Sequence, residues 1–444
     1  MRIYLALLVS LVFLTSQVSA QESFTLPEAI SYALKGSPTV SNALADIQDA
    51  ELQIKEIKVT GMPQINGQFQ YTANVIVPTQ LIAASNFDPT APEGEVVKFK
   101  FGVPWGGQAG IGVNQLIFDA TWLVGLRAAD TYRQLANQGL SKAKVDVAEN
   151  VSKAYYSVLV AEERMKILDL NIGRLDSIIQ NTKAFFKQGF VESIDISRLE
   201  VQRNNLLTER RKVANLVELS YQLLKFQMSY DRTRPIFLKD KLEEASVKAL
   251  ATLRYEEVRP ENRVEYQQLE TQRQLTNLNI ERYQKAYLPS VFFTGSLGAG
   301  HSNTVFNPFE RWFGSSAVSI GVNIPIYDSG MKKVQIQRQQ LSLIKLDNAM
   351  KLTKNSFELQ NNQAFANMQN GLESLEIQRR NMELANEVVR VAQLKFQQGV
   401  GSNLEITNAE NDLKQAQTNY FAALYDILIA KIDLDKAQGK LNFN

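Results

Sequence analysis

The chain has no cysteine, a single histidine and, beyond its first twenty residues, no run of 18 apolar residues. The first absence removes both a disulfide framework and a cysteine for an acyl anchor, so stability has to come from packing or assembly. The second leaves little from which to build a metal centre: His301 stands alone in a Gly/Ser/Asn-rich stretch that reads as a loop after a strand. The third excludes a transmembrane helix after residue 20, so any insertion into a bilayer would have to be a β-barrel. Charge of one sign is also scarce. With 48 Lys and Arg against 46 Asp and Glu, a net charge of +2 gives no basic footprint for nucleic acid. Phosphate-cradling glycine loops and nucleophile elbows are missing too. GSLGAG at 295–300 falls inside a strand pattern and opens no helix, so it fails the test for a dinucleotide site. The chain reads as a non-enzyme with no cofactor and no metal.

The first twenty residues carry an address. Arg2 precedes an apolar run from Ile3 to Leu14, and Val18-Ser19-Ala20 closes it with small residues. This is the pattern of a secretory signal peptide over 1–20, with a mature chain from about Gln21. The run is shorter than the roughly 20 residues a membrane span needs.

The rest of the chain repeats itself. FKQGFVESIDISRLE at 186–200 aligns without a gap to FQQGVGSNLEITNAE at 396–410, an offset of 210, and GVNQLIFD at 112–119 returns as GVNIPIYD at 321–328. Solenoid units span roughly 20 to 50 residues, so each copy is half of a larger structure. We divide the chain into a first repeat over 21–230, a connector over 231–258 and a second repeat over 259–444.

Long helices dominate both halves. Residues 120–186 and 331–396 lack proline and keep a helical pattern, which predicts two helices of about 100 Å. Heptads supply a partner along that length. Val151, Val158, Met165, Ile172, Ile179 and Phe186 fall seven apart, with Ala154, Ala161, Leu168 and Leu175 in the same register. In the last helix Ile406, Leu413, Tyr420, Ile427, Leu434 and Leu441 form one seam position, and Ala409, Ala416, Ala423, Ala430 and Ala437 the other. Such spacing is that of a coiled coil, and the alanines let neighbours lie close, side by side. Shorter helices over about 39–60, 194–230 and 262–286 flank the long ones.

Four segments alternate instead. Residues 64–77 and 315–327 do so cleanly and 108–118 and 290–300 more loosely, giving strands of bilayer-crossing length with one apolar and one polar or small face. Four strands cannot close a barrel, and an open edge cannot sit in hydrocarbon. Membrane strands would therefore require an oligomer, and twelve strands from a trimer would enclose a water-filled lumen. Trp105, Trp122 and Trp312 lie beside the strand ends, as interfacial anchors do.

In these residues the chain resembles the TolC family of trimeric outer-membrane efflux ducts. FTLPEAISYAL with Ser37-Pro38, the Pro63 and Pro289 segments, IPIYDSG at 324–330 and the two FxQG turns carry the resemblance, which covers essentially the whole mature chain. It implies a mainly α protein with a membrane β-barrel: four strands per subunit of a twelve-strand trimeric barrel and a long coiled-coil α-barrel in the periplasm. The partners it implies are two further copies of the chain, outer-membrane lipid, a periplasmic adaptor and an inner-membrane pump, with substrate conducted passively.

Residue by residue, the resemblance makes Gly189 and Gly399 turn glycines at two hairpin tips, with Phe190, Val191, Val400, Gly401 and Ser402 on the adaptor-facing segments. Glu405, Asn408 and Asp195 fall at or near its constriction. Three carboxylates converging on a narrow opening would repel one another and attract cations. Alternatively, Glu405 and Asp195 are helix N-terminal carboxylates favoured by the dipole. A second reading of the whole chain also stays open here, a periplasmic coiled-coil adaptor or scaffold without a pore.

Overall fold

The computed structural model describes residues 22–242 and 255–441; residues 1–20, expected to be a signal peptide, and most of the segment expected to be a connector, 243–254, lie outside them, as do 21 and 442–444. Their order is β1 (Glu22–Phe24), α1 (Leu26–Gly36), α2 (Pro38–Thr60), β2 (Gln64–Ala73), β3 (Thr79–Ala83), β4 (Val96–Lys100), β5 (Trp105–Phe118), α3 (Ala120–Lys187), α4 (Ser193–Gln227), β6 (Ile236–Leu238), α5 (Val264–Lys285), β7 (Ser290–Asn303), β8 (Phe313–Asn323), α6 (Met331–Gln397) and α7 (Asn403–Ala437). Two compact units result. Unit 1 draws on 1–47, 136–269 and 348–444, and unit 2 on 48–135 and 270–347.

In unit 1 most of the heptad positions become contacts, although Phe186, at the end of the first series, is exposed. Val151, Val158, Leu168, Leu175, Ile406, Leu413, Ile427 and Leu434 are buried, and so are all five alanines from Ala409 to Ala437. Alanine is what a seam between closely approaching helices requires, since a larger side chain would push the axes apart. Near the start of the chain, Thr25 caps α1 and Glu28 reaches back to the Thr25 N–H at 2.8 Å. The Tyr155 hydroxyl, raised far above its ordinary pKa by burial and by Asp240, donates to the Asp240 carboxylate at 2.8 Å and lies 3.0 Å from the Phe24 carbonyl. Asp240 also accepts the Leu26 N–H at 2.9 Å, while β1 pairs in parallel with β6. The beginning of the connector is thereby bound to the first helices.

Unit 2 holds a four-stranded antiparallel sheet in the order β2-β5-β7-β8. The strands end where their sequence demands. β8 stops at Asn323, before Pro325, which has no N–H for a ladder. A second hairpin, β3 with β4, rises from the long β2–β5 connection, where alternation is too short to stand out in the sequence.

Candidate functional site

Register sorts the sheet into two faces. Ile65 stands opposite Val113, Val113 opposite Gly295 and Gly295 opposite Val318; one row along, Gly67, Ile111, Leu297 and Ser316 align. Because side chains alternate, Phe69, Ile320 and Val322 join this apolar face. Its exposed members include Ile65, Phe69, Ile111, Leu297, Val318 and Ile320. The opposite face carries Asn66, Gln68, Gln108, Asn114, Thr294, Ser296, Ser315 and Ser319, and a hollow of about 490 Å³ lined by most of these residues runs along it. The sheet is therefore concave on its polar side. The backbones approach closely where Gly110 meets Gly298: a Cβ at Gly298 would stand 2.8 Å from the Ala109 carbonyl oxygen, so a side chain there cannot be accommodated.

Aromatic rings gather at one end of the apolar face. Tyr71 and Trp105 lie 6.2 Å apart, Phe306 packs on Trp105 at 4.9 Å, and His301 is stacked between Tyr71 and Trp312. His301 is thus a buried strand residue, 3% exposed, and not the loop residue expected; its Nδ1 faces the Arg311 carbonyl at 3.2 Å. Trp122, after the opposite end of β5, lies over Gly61 and donates to the Ile57 carbonyl at 2.7 Å.

The hairpin tips belong to unit 1. Gly189 and Gly399 take φ of +80° and +78°, which end α3 and α6 in the left-handed conformation favoured by glycine. Phe190 and Val400 then point outward, 74% and 76% exposed. The tips differ one residue later. Gly401 folds back so that its N–H reaches the Lys395 carbonyl at 3.1 Å, and a Cβ there would lie 2.9 Å from the Phe396 nitrogen. Val191, its counterpart, instead packs on the apolar cluster under the tips, where Phe185 and Phe396 meet edge to face at 5.9 Å.

The acidic candidates separate. Asp195 is tied down: it accepts the Glu192 N–H at 3.3 Å, and Asn403 donates to its carbonyl at 2.6 Å and to its carboxylate at 3.3 Å. Ser402 caps α7 by accepting the Glu405 N–H at 3.2 Å, which leaves the Glu405 side chain exposed. Glu405 and Asn408 line one hollow of about 410 Å³ between α6 and α7, together with Asp412 and Glu387. Asp412 escaped the sequence reading although it stands one heptad step beyond Glu405.

Behind this face lies a buried polar hub. Glu410 is buried and faces Arg174 of α3 at 3.0 Å and Gln393 of α6 at 3.3 Å. Arg174 also donates to Asn171 at 2.7 Å and Asn386 at 3.3 Å, and Asn171 to Gln417 at 2.6 Å. Burial pushes the Glu410 carboxyl above its ordinary pKa, against the downward pull of Arg174. Three helices are pinned at one point.

Comparison with known proteins fits this geometry. The chain is 22% identical to the antibiotic efflux pump outer membrane protein ArpC of Pseudomonas putida, over 70% of this chain and 64% of that one. It spans less than two thirds of that relative's length. It is 20% identical to the outer membrane efflux protein BepC of Brucella suis over 98% of this chain and 89% of BepC. The crystal structure of the outer membrane protein VceC of Vibrio cholerae superposes with a TM-score of 0.69 at 13% identity, covering 93% of this chain and 96% of VceC. Residues 260–440 match the family described as outer membrane efflux protein. Through this match over residues 260–440, these relatives and the shared fold, the chain is similar to the outer membrane efflux protein (TolC) family.

Proposed function

We propose that the protein is an outer-membrane duct of a tripartite efflux or secretion system, in which three copies close a twelve-strand barrel. The carrying observation is the sheet. One face is mainly apolar, the concave face is polar, and among the described residues the edge strands β2 and β8 have no neighbour on their outer sides. Such edges are untenable in lipid unless another copy pairs with them. The helices support the same assembly. Exposed apolar residues recur at heptad steps on α6, as Val334 and Leu341, Leu352 and Leu359, and Ile377, Leu384 and Val391. Leu44, Leu52 and Val59 on α2, with Ile194 and Val201 on α4, offer an unpartnered counterpart.

In this reading the protein does no chemistry and binds no nucleotide. An inner-membrane pump supplies the energy, and a periplasmic adaptor docks on the tips around Gly189, Phe190 and Val191 and around Gly399, Val400, Gly401 and Ser402. Glu405, Asn408 and Asp412 then face the narrowing, while Asp195 holds the two hairpins together. The alternative, a poreless scaffold, has no use for bilayer-length strands with one lipid-compatible face. Heat-resistant trimers in outer-membrane extracts, with discrete conductance in planar bilayers, are expected. A soluble monomer in the periplasmic fraction would sink the proposal.

Two variants test the tip. Gly401→Val should leave trimers and conductance intact but abolish co-purification with the adaptor, because the added side chain collides with the α6 backbone. Glu405→Gln combined with Asp412→Asn should weaken block by divalent cations roughly thirty-fold, since each exposed charge contributes about 1 kcal/mol to a nearby ion and two are removed. Unchanged block would return Glu405 to the role of a helix N-terminal carboxylate.

A further inference from the structure

Within unit 2 four helices lie side by side in the order α2, α3, α5, α6. Trp122 joins α3 to α2, Arg127 pairs with Glu281 between α3 and α5, and Arg273 pairs with Asp347 at 2.9 Å between α5 and α6. A hollow of about 380 Å³ is lined by residues from all four. A single layer can touch one hollow with four helices only if it curls around it. The hollow therefore opens on the concave side of this wall, which the duct reading makes the lumen.

Its chemistry is divided. Ala50, Val124 and Ala129 form a buried apolar floor. Gln272, Asn279 and Arg282 stand at the rim. Neighbouring Arg127 and Arg273 are neutralised by their acidic partners, but among the described residues Arg282 has no ion pair, and its guanidinium rests 5.2 Å from the Tyr283 ring. An uncompensated cation beside an apolar floor, with amide N–H groups next to it, suits a molecule with a matching division. The volume falls within the range of roughly 300–1,000 Å³ usual for small-molecule sites.

We propose that this hollow is a holding site for amphipathic anions: compact molecules with an apolar body, seated on Ala50, Val124 and Ala129, and one carboxylate or sulfonate on Arg282. The inference rests on the duct reading for the direction from which such molecules arrive. Binding must be weak, because a conduit that holds its cargo tightly stops conducting. The cation is half of the recognition and the floor the other half, so each can be removed separately.

The probe is 1-naphthalenesulfonate, added to the wild-type protein in planar bilayers. Brief current interruptions are expected, with a frequency proportional to probe concentration. Arg282→Gln should shorten them about two- to five-fold, as loss of an exposed charge pair does. Gly125→Leu should abolish them while leaving the unblocked current in place. Gly125 lines the hollow, and a Cβ there meets nothing nearer than the Ile57 side chain at 3.9 Å, so the longer chain fills the space. Interruptions identical in all three proteins, or none in wild type up to about 10 mM probe, would overturn the site. A protein that forms no channel would instead overturn the duct reading. Calorimetric titration of the purified proteins with the same probe then decides: affinity weakened about two- to five-fold in Arg282→Gln and binding lost in Gly125→Leu support the site, and equal binding in all three rejects it.

Discussion

Ile320→Lys is expected to eliminate trimers from the outer membrane, and Ser319→Lys to leave them there. The two residues are adjacent on β8 but face opposite ways, Ile320 opposite Phe293 and Ser319 opposite Thr294. Ser319 and Thr294 share a hydroxyl–hydroxyl hydrogen bond of 2.6 Å on the concave polar side. A lysine on the lipid face costs about 2–4 kcal/mol at the bilayer midplane. In the proposed trimer, three copies raise that to roughly 6–12 kcal/mol per assembly, as much as the whole stability of a typical domain. At position 319 the ammonium stays in water, and its effect is a shift of selectivity toward anions. Heat-modified gel migration of outer-membrane extracts reads the first result and reversal potentials in a salt gradient the second. Trimers that survive Ile320→Lys but not Ser319→Lys would reverse the assignment of the faces.

Those faces were legible because a strand writes its environment into every second residue. Val318, Ile320 and Val322 alternate with Ser319, Gly321 and Asn323, and no knowledge of the neighbouring strand is needed to see it. The alanine seam of α7 was legible for the same reason, with a period of seven in place of two. Residues defined by distant partners were not. His301 sits among Gly, Ser and Asn in sequence, and the rings that bury it, Tyr71 and Trp312, come from elsewhere in the chain. The pairing of β1 with β6 joins Glu22 to Ile236, and three-residue strands carry no period at all. Likewise the β3–β4 hairpin lies inside a stretch whose Pro, Asn and Gly residues read as loop. At the candidate gate, Glu405 and Asn408 came from the resemblance, whereas Asp412 and Glu410 looked like ordinary charges on a charged helix. Only the fold separates them, turning Asp412 toward the hollow and Glu410 into the interior.

Arg174→Ala should destabilise the tip end of unit 1 by about 3 kcal/mol, because it leaves the Glu410 carboxylate buried with Gln393 as its remaining polar neighbour. Glu410→Gln should cost far less. Its amide oxygen still accepts from Arg174, and the partly exposed guanidinium can be solvated. Combining the two substitutions should therefore recover most of what Arg174→Ala loses, a coupling that a merely bulky arginine would not produce. The pH dependence follows from the same burial. Glu410 holds its proton more readily in the fold than in the unfolded chain, where its pKa is near 4.5. Its contribution is thus fully present below that value and is lost as pH rises through the raised folded value. Removing Arg174 takes away the pull that keeps the folded value down, so the loss should extend to higher pH in Arg174→Ala and vanish in Glu410→Gln. Thermal melts of the purified assemblies from about pH 4 to 8 measure all three. Equal stability of wild type and Arg174→Ala at neutral pH would remove the hub from the account. If the hub is as described, Arg174→Ala should also loosen the register of α7 against α3 and α6, and Glu405 and Asp412 ride on α7. Its conductance should then be larger and less sensitive to divalent cations than that of Glu410→Gln, a difference that no change confined to the exposed acidic face would give.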